Sequence, residues 1–143
     1  MGFLSEKFIG TWKLVSFEVR SGDQVVYPFG KDPEGYIMYN HDGYMAVAFM
    51  PSKRLRFASK DMMGATTEEK VTAADNYFSY CGKYEVTNDK VIHLIKVSLY
   101  PNWIGQKQER FYKFEGDKLI LSTPPVLFDG KQQSGYLIWQ KIY

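Results

Sequence analysis

A histidine and an arginine stand in an otherwise apolar region of the chain, KVIHLIKVSLYPNWIGQKQERF (residues 90–111). The imidazole of His93, with an ordinary pKa of about 6.5, can orient a ligand or act as a general acid–base. The guanidinium of Arg110 can hold an anion or pack over an aromatic ring. Tyr84, on the strand before His93, adds a hydroxyl close to the same region. These residue types predict polar contacts to a ligand or the transfer of a proton, or, for His93, a core side chain bonded to Tyr84 or to a backbone carbonyl.

Short strands separated by turn signals must position these side chains. A two-residue turn at Asn88-Asp89 places Tyr84 opposite His93, and Asp42-Gly43 has the composition of a tight hairpin. A further turn at Gly116-Asp117 pairs Phe114 with Leu119, Tyr112 with Leu121 and Arg110 with Thr123. The expected strands are 10–20, 24–27, 35–40, 44–50, 82–87, 91–99, 107–115, 118–123 and 134–142. This pattern predicts an all-β, up-and-down antiparallel barrel of about 8–10 strands.

Alternation along the strands predicts which side chains point inward. His93 shares its face with Ile95, Val97 and Leu99, while Arg110 shares its face with Tyr112 and Phe114. The same alternation puts Glu18 on the face of Trp12. Counting along the strands places His93 beside Tyr84 and Phe114, about 13 Å from Arg110.

One short helix is predicted to interrupt the strands and to cap an end of the barrel. Thr66 and Glu69 form a capping box, and Val71, Ala74 and Phe78 follow at helical spacing, with Gly82 as the stop. In an up-and-down order, Gly10, Gly35, Gly82 and Lys107 begin strands at one common end. That end also receives the long connections, where binding contacts are usually found.

Length and composition set further limits. A chain of 143 residues with 45% hydrophobic residues predicts one globular domain spanning 1–143. The aromatic content of 17% favours an internal surface lined by rings. The net charge of +2 and the short basic group around Arg54 do not predict nucleic-acid binding. A single cysteine, Cys81, and the absence of an apolar leader predict a cytoplasmic protein without a membrane span.

Four segments, GTWKLVSFE, GYIMYNHDGYMAV, YFSYCGKYEV and VIHLIKVSLYPNWIGQKQERF, together resemble the lipocalin-like domain family. The resemblance extends over nearly the whole chain and implies a β-barrel with an internal pocket. It also implies that Trp12 closes one barrel end with an arginine packed across its ring. Arg110 matches that arginine only in part, since two strands still follow it. Both structural closure and an anion contact therefore remain open for Arg110.

The sequence predicts that the barrel binds a small hydrophobic or aromatic molecule in its interior. The residues expected to contact such a ligand are Glu18, Tyr39, Tyr84, His93, Trp103, Arg110 and Tyr112. One alternative is a cofactor-free isomerase or cyclase in which His93 moves a proton and Tyr84 assists. A second alternative is a structural or interaction barrel. No metal and no cofactor are expected, and the protein is expected to be a monomer or homodimer.

Overall fold

The computed structural model describes residues 3–143 of the chain, which form a barrel of antiparallel strands. The strands are β1 (Gly10–Ser21), β2 (Gln24–Val26), β3 (Glu34–Tyr39), β4 (Tyr44–Met50), β5 (Phe78–Val86), β6 (Lys90–Ser98), β7 (Lys107–Glu115), β8 (Lys118–Ser122), β9 (Val126–Phe128) and β10 (Lys131–Lys141). The helices are α1 (Phe3–Glu6) and α2 (Thr67–Asp75), with a 3₁₀ turn at Pro101–Trp103. The predicted all-β fold is confirmed.

Eight of the strands close on themselves in the order β1, β3, β4, β5, β6, β7, β8, β10, because β10 pairs back with β1. The two remaining strands, β2 and β9, are three-residue extensions paired with the ends of β1 and β10. The prediction missed β9. The predicted pairings of Tyr84 with His93 and of Tyr112 with Leu121 are confirmed.

The tight turns after β3, β5 and β7 lie at one end of the barrel, here named the short-turn end, and the long connections lie at the other, here named the long-loop end. The connections that follow β2, β4, β6 and β8 all lie at the long-loop end, as predicted. The start of β1 was expected there too, and that expectation is wrong. Because β2 is too short to cross the barrel, β3 is the neighbour of β1, and Gly10 pairs with Tyr39 at the short-turn end.

The segment after α1 closes the short-turn end. Phe8 is fully buried, and its ring meets those of Tyr39, Tyr112 and Phe114 edge to face, with centroids 4.9–5.2 Å apart. The indole Nε1 of Trp12 donates a hydrogen bond to the Phe8 carbonyl at 2.9 Å. These contacts leave the rings at this end packed against one another.

Lys141 covers the outer side of the Trp12 ring. Its Nζ lies 4.8 Å from the ring centroid and donates a hydrogen bond to the carbonyl of Ile9. The family resemblance gave this position to Arg110 as one of its two open roles. The structure instead places the Arg110 guanidinium 5.6 Å from the ring of Trp103. Lysine on the last barrel strand therefore provides the cation at the tryptophan.

The α2 helix forms with the predicted capping box, in which the Glu69 amide donates to the Thr66 hydroxyl and the Thr66 amide donates to the Glu69 carboxylate. The helix ends at Asp75, earlier than predicted, and buries none of its residues, so it does not fill the barrel mouth. Phe78 begins β5 rather than ending the helix, because it pairs with Phe49 of β4.

Two β-bulges reverse the side-chain alternation that the sequence suggested. The first inserts Val15 between Leu14 and Ser16 of β1, so that Val19 is buried and Glu18 leaves the face of Trp12. The second inserts Lys96 of β6 opposite Cys81 and Gly82.

After the bulge at Lys96, the side chains of β6 that were expected to point inward are exposed. Ile95 is buried, but Val97 and Leu99 are 63% and 39% exposed. The prediction that both point inward is wrong, because the extra residue shifts the alternation by one.

Candidate functional site

His93 is held in the barrel interior by two tyrosine hydroxyls. Its side chain is 1% exposed, its Nε2 lies 2.8 Å from Oη of Tyr39, and its Nδ1 lies 2.6 Å from Oη of Tyr80. Tyr39 comes from β3, Tyr80 from β5 and His93 from β6. We call these three residues the Tyr–His–Tyr row. Tyr80 was not predicted as a site residue, although it shares the inward face of β5 with Tyr84.

Arg110 lies beside the row and is only 7% exposed. Its Nη1 donates to the carbonyl of Glu109 at 2.9 Å, and its positive charge acts to lower the pKa of the Tyr80 hydroxyl. The expected separation of about 13 Å from His93 is wrong. Arg110 pairs with Val91 and His93 pairs with Gln108, so the two residues are offset by only two positions, about 7 Å along the strands.

Burial and the neighbouring cation hold the row in its neutral form. Burial first, and the positive charge of Arg110 second, lower the pKa of His93 well below its ordinary value. Burial raises the pKa of Tyr39 well above its ordinary value, with a further contribution from Tyr80. Burial also raises the pKa of Tyr80, although Arg110 opposes that change. At neutral pH the imidazole and both phenols are therefore uncharged.

A neutral imidazole has one donor nitrogen and one acceptor nitrogen, so one tyrosine hydroxyl must donate to His93 and the other must accept from it. Each tautomer leaves one tyrosine hydroxyl proton without an acceptor among the described residues, that of Tyr39 if Nε2 carries the proton and that of Tyr80 if Nδ1 does. Tyr39 is enclosed by Phe8 and Tyr84, whereas Tyr80 stands beside the partly exposed rings of Phe78 and Trp103, where another molecule can supply the acceptor. We therefore assign the proton to Nδ1. In that arrangement Tyr39 donates to Nε2, Nδ1 donates to Tyr80, and the hydroxyl proton of Tyr80 is available to an acceptor.

Tyr80 connects the row to a group of rings toward the long-loop end. Its ring centroid lies 5.9 Å from that of Phe78 and 5.8 Å from that of Trp103. The rings nearby share mutual contacts at 5.2–5.7 Å, many of them edge to face, and most are partly exposed. We call this group the aromatic cluster, and its members are Phe17, Phe29, Phe49, Phe78 and Trp103.

The aromatic cluster was not predicted as a unit. Trp103 was an expected ligand contact, but Phe17, Phe29 and Phe78 were not singled out. Phe17 faces inward only because of the Val15 bulge. The inward position of Phe49 on β4, which alternates with Val47 and Met45, was the one signal in the sequence that could have identified part of the cluster.

Three other predicted site residues use their polar atoms elsewhere. The hydroxyl of Tyr84 donates to the Asn40 carbonyl at 2.9 Å, and that of Tyr112 donates to the Thr87 carbonyl at 2.8 Å. Both bonds secure hairpin turns at the short-turn end. Glu18 pairs with Arg20 at 2.8 Å and does not reach the row, which corrects the expectation that it points toward His93. The structure thus brings together Tyr39, His93, Arg110 and Trp103.

A cavity of about 420 Å³ lies outside the barrel, between residues 53–57 and helix α2. Its walls carry charges of both signs, including Lys53, Arg56 and Glu68. Residues 3–143 contain no group of three or more His, Cys, Asp or Glu side chains that could hold a metal ion. No helix in that part of the chain is long and apolar enough to cross a membrane.

This chain is similar to a carrier protein, to a solved structure and to a family model. The "4'-hydroxy-3'-methoxypropiophenone carrier protein ppsC" of Aspergillus oryzae is 36% identical over 92 residues, which cover 58% of this chain and 83% of that protein. A crystal structure of an uncharacterized protein from Bacteroides eggerthii superposes with a TM-score of 0.46 and 13% identity, covering 94% of this chain and 99% of the other. The model of the lipocalin-like domain matches residues 9–142. With that match over nearly its full length, the chain belongs to the lipocalin-like domain family.

Proposed function

We propose that this protein binds a small aromatic molecule of the hydroxyphenyl ketone class between the aromatic cluster and the Tyr–His–Tyr row. The observation that carries this proposal is the hydroxyl of Tyr80. It is held by His93 at 2.6 Å and stands beside the partly exposed rings of Phe78 and Trp103. A polar group so placed at the base of an apolar surface can orient a ligand.

The aromatic cluster supports an aromatic rather than an aliphatic ligand. Phe49 meets Phe17 and Phe78 edge to face, at 5.3 and 5.7 Å, so an added ring has both ring faces and ring edges to pack against. Four of the five members are only partly buried, which leaves apolar surface to be covered by a ligand. Covering that surface supplies the hydrophobic part of the binding free energy.

The polar groups of Tyr80 and Arg110 favour a ligand that carries a phenolic hydroxyl. With the proton of His93 on Nδ1, the Tyr80 hydroxyl donates, and Arg110 beside it is also a donor. A phenolic oxygen can accept from both. The relative from Aspergillus oryzae is named a carrier of a hydroxyphenyl ketone, which supports the same ligand class for this chain.

The proton-transfer alternative has less support. A general base needs a pKa near the working pH, whereas burial and Arg110 lower the pKa of His93 well below its ordinary value. Both ring nitrogens are also engaged by Tyr39 and Tyr80. This arrangement favours a fixed polar anchor over a residue that gains and loses a proton in each cycle.

Calorimetric titration with 4′-hydroxy-3′-methoxypropiophenone tests the proposal. We expect saturable binding of one molecule per chain. Tyr80→Phe is expected to weaken binding by about tenfold, the effect of one hydrogen bond. Tyr44→Phe removes a hydroxyl from an exposed side chain and is the matched control. No binding, or an equal loss in both variants, would contradict the proposal.

A further inference from the structure

Trp139 presents an unpaired hydrogen-bond donor inside the barrel. Its side chain is 1% exposed, and its indole Nε1 is the single buried side-chain nitrogen or oxygen in the described part of the chain that lacks a hydrogen-bond partner. Trp12 is equally enclosed, but its Nε1 donates to the Phe8 carbonyl. The two buried indoles therefore differ in whether the N–H group, the polar group of the tryptophan side chain, has a hydrogen-bond acceptor.

The side chains beside Trp139 on the adjacent strands offer no hydrogen-bond acceptor. Trp139 pairs with Leu14 of β1 and Leu119 of β8, and both side chains are buried and apolar. Leaving a buried N–H unpaired costs the free energy of its lost hydration. A phenylalanine at this position would have no such cost. The indole N–H therefore needs an acceptor, and the described residues do not supply one.

The ring of Trp139 reaches the region of the proposed ligand. It stands nearly perpendicular to Phe49, with the planes at 82° and the centroids 6.5 Å apart. Phe49 also contacts Phe17, Phe29 and Phe78, and so lies at the centre of the aromatic cluster. A molecule packed against Phe49 therefore comes close to the indole of Trp139.

We propose that Nε1 of Trp139 donates a hydrogen bond to the carbonyl oxygen of the ligand, and that this contact selects ketones over their deoxygenated analogues. The proposal rests on the proposed function and adds a specificity residue to it. An indole N–H is a donor only, and a ketone oxygen is an acceptor only, so the pair satisfies both groups without leaving a proton unpaired. A phenol at this position would bring a second donor into an apolar wall.

Two ligands that differ only at the carbonyl test the inference. Calorimetric titrations would compare 4′-hydroxy-3′-methoxypropiophenone with 2-methoxy-4-propylphenol, in which a methylene replaces the ketone. We expect Trp139→Phe to weaken ketone binding by about tenfold and to change binding of the propyl compound by less than about threefold. Trp12→Phe removes an indole N–H that is already paired, and is expected to leave the ratio of the two affinities unchanged.

Each outcome separates the inference from the proposed function. If Trp139→Phe weakens both compounds equally, the carbonyl contact is overturned while aromatic binding stands. If neither compound binds the wild-type protein, the proposed function fails and the carbonyl contact fails with it.

A second measurement covers the case in which Trp139→Phe does not fold. In ¹H–¹⁵N spectra of the wild-type protein, the ketone is expected to shift the indole resonance of Trp139 downfield more than that of Trp12. The propyl compound is expected not to do so. Equal shifts with both compounds would overturn the inference.

Discussion

The Nδ1 atom of His93 lies 2.6 Å from the hydroxyl oxygen of Tyr80, and both side chains are buried in the barrel. This contact connects the packed short-turn half of the barrel with the aromatic cluster. Because Tyr39 holds the other ring nitrogen, the imidazole is fixed on both sides. A polar group so restrained is suited to orienting a bound molecule, since its geometry does not have to be rebuilt on binding.

The Tyr–His–Tyr row predicts a single tautomer for His93. We expect Nδ1 to carry the proton, because the enclosed hydroxyl of Tyr39 then has an acceptor, and the Tyr80 hydroxyl, which is left without one, lies at the proposed ligand site. Long-range ¹H–¹⁵N correlation spectra at neutral pH distinguish a protonated nitrogen from a bare one. We expect a protonated Nδ1 and a bare Nε2. A protonated Nε2 would contradict the assignment and would make Tyr80 the residue that donates to His93.

The stability of the protein is expected to fall as the pH is lowered below about 6.5, the ordinary pKa of histidine. Burial and Arg110 keep the pKa of His93 well below that value in the folded chain. In this range the unfolded chain takes up a proton that the folded chain excludes, so the free energy of unfolding decreases. The slope approaches about 1.4 kcal/mol per pH unit for one group.

Urea unfolding of wild-type protein and variants between pH 7.5 and 5 measures this slope. His93→Gln is expected to reduce it, because glutamine does not titrate. His41→Gln changes the other histidine, which is exposed, and this variant is expected to keep the wild-type slope. An unchanged slope in the first variant would show that the pH dependence comes from other groups.

Lys141 is expected to stabilise the short-turn end of the barrel. Its Nζ lies 4.8 Å from the Trp12 ring and bonds the carbonyl of Ile9, so Lys141→Ala removes two favourable contacts. The expected loss is about 1–2 kcal/mol of unfolding free energy. Lys60→Ala, at an exposed position, is expected to change stability by less than about 0.5 kcal/mol. Equal denaturation midpoints for the two variants would rule out this role.

Gly82 is expected to be indispensable to the pairing of β5 with β6. A Cβ atom at this position would lie 2.0 Å from the backbone oxygen of Leu94, opposite the bulge at Lys96. Gly82→Ala must displace backbone, and we expect a loss of about 3 kcal/mol or more of unfolding free energy. Gly135→Ala is the control, since its Cβ would meet Thr123 at an ordinary 3.6 Å. Similar melting temperatures in both variants would contradict the close approach.

Local sequence patterns were sufficient for the elements whose geometry depends on near neighbours. The capping box of Thr66 and Glu69 began the helix as expected. Two-residue turns set the pairing of Tyr84 with His93 and of Tyr112 with Leu121. In each case the deciding contact joins residues separated by a few positions or by one hairpin, so the information lies in a short stretch of chain.

Only the closed barrel decided which polar side chains meet. Tyr39 and His93 lie 54 positions apart, on strands separated by two others, and come together across the interior. The bulge at Val15, which turns Phe17 into the barrel and removes Glu18 from the face of Trp12, forms in the pairing of β1 with β10. No turn or alternation within β1 indicates that extra residue. Its position depends on the register with a strand more than 100 residues later, because one inserted residue reverses every side chain beyond it.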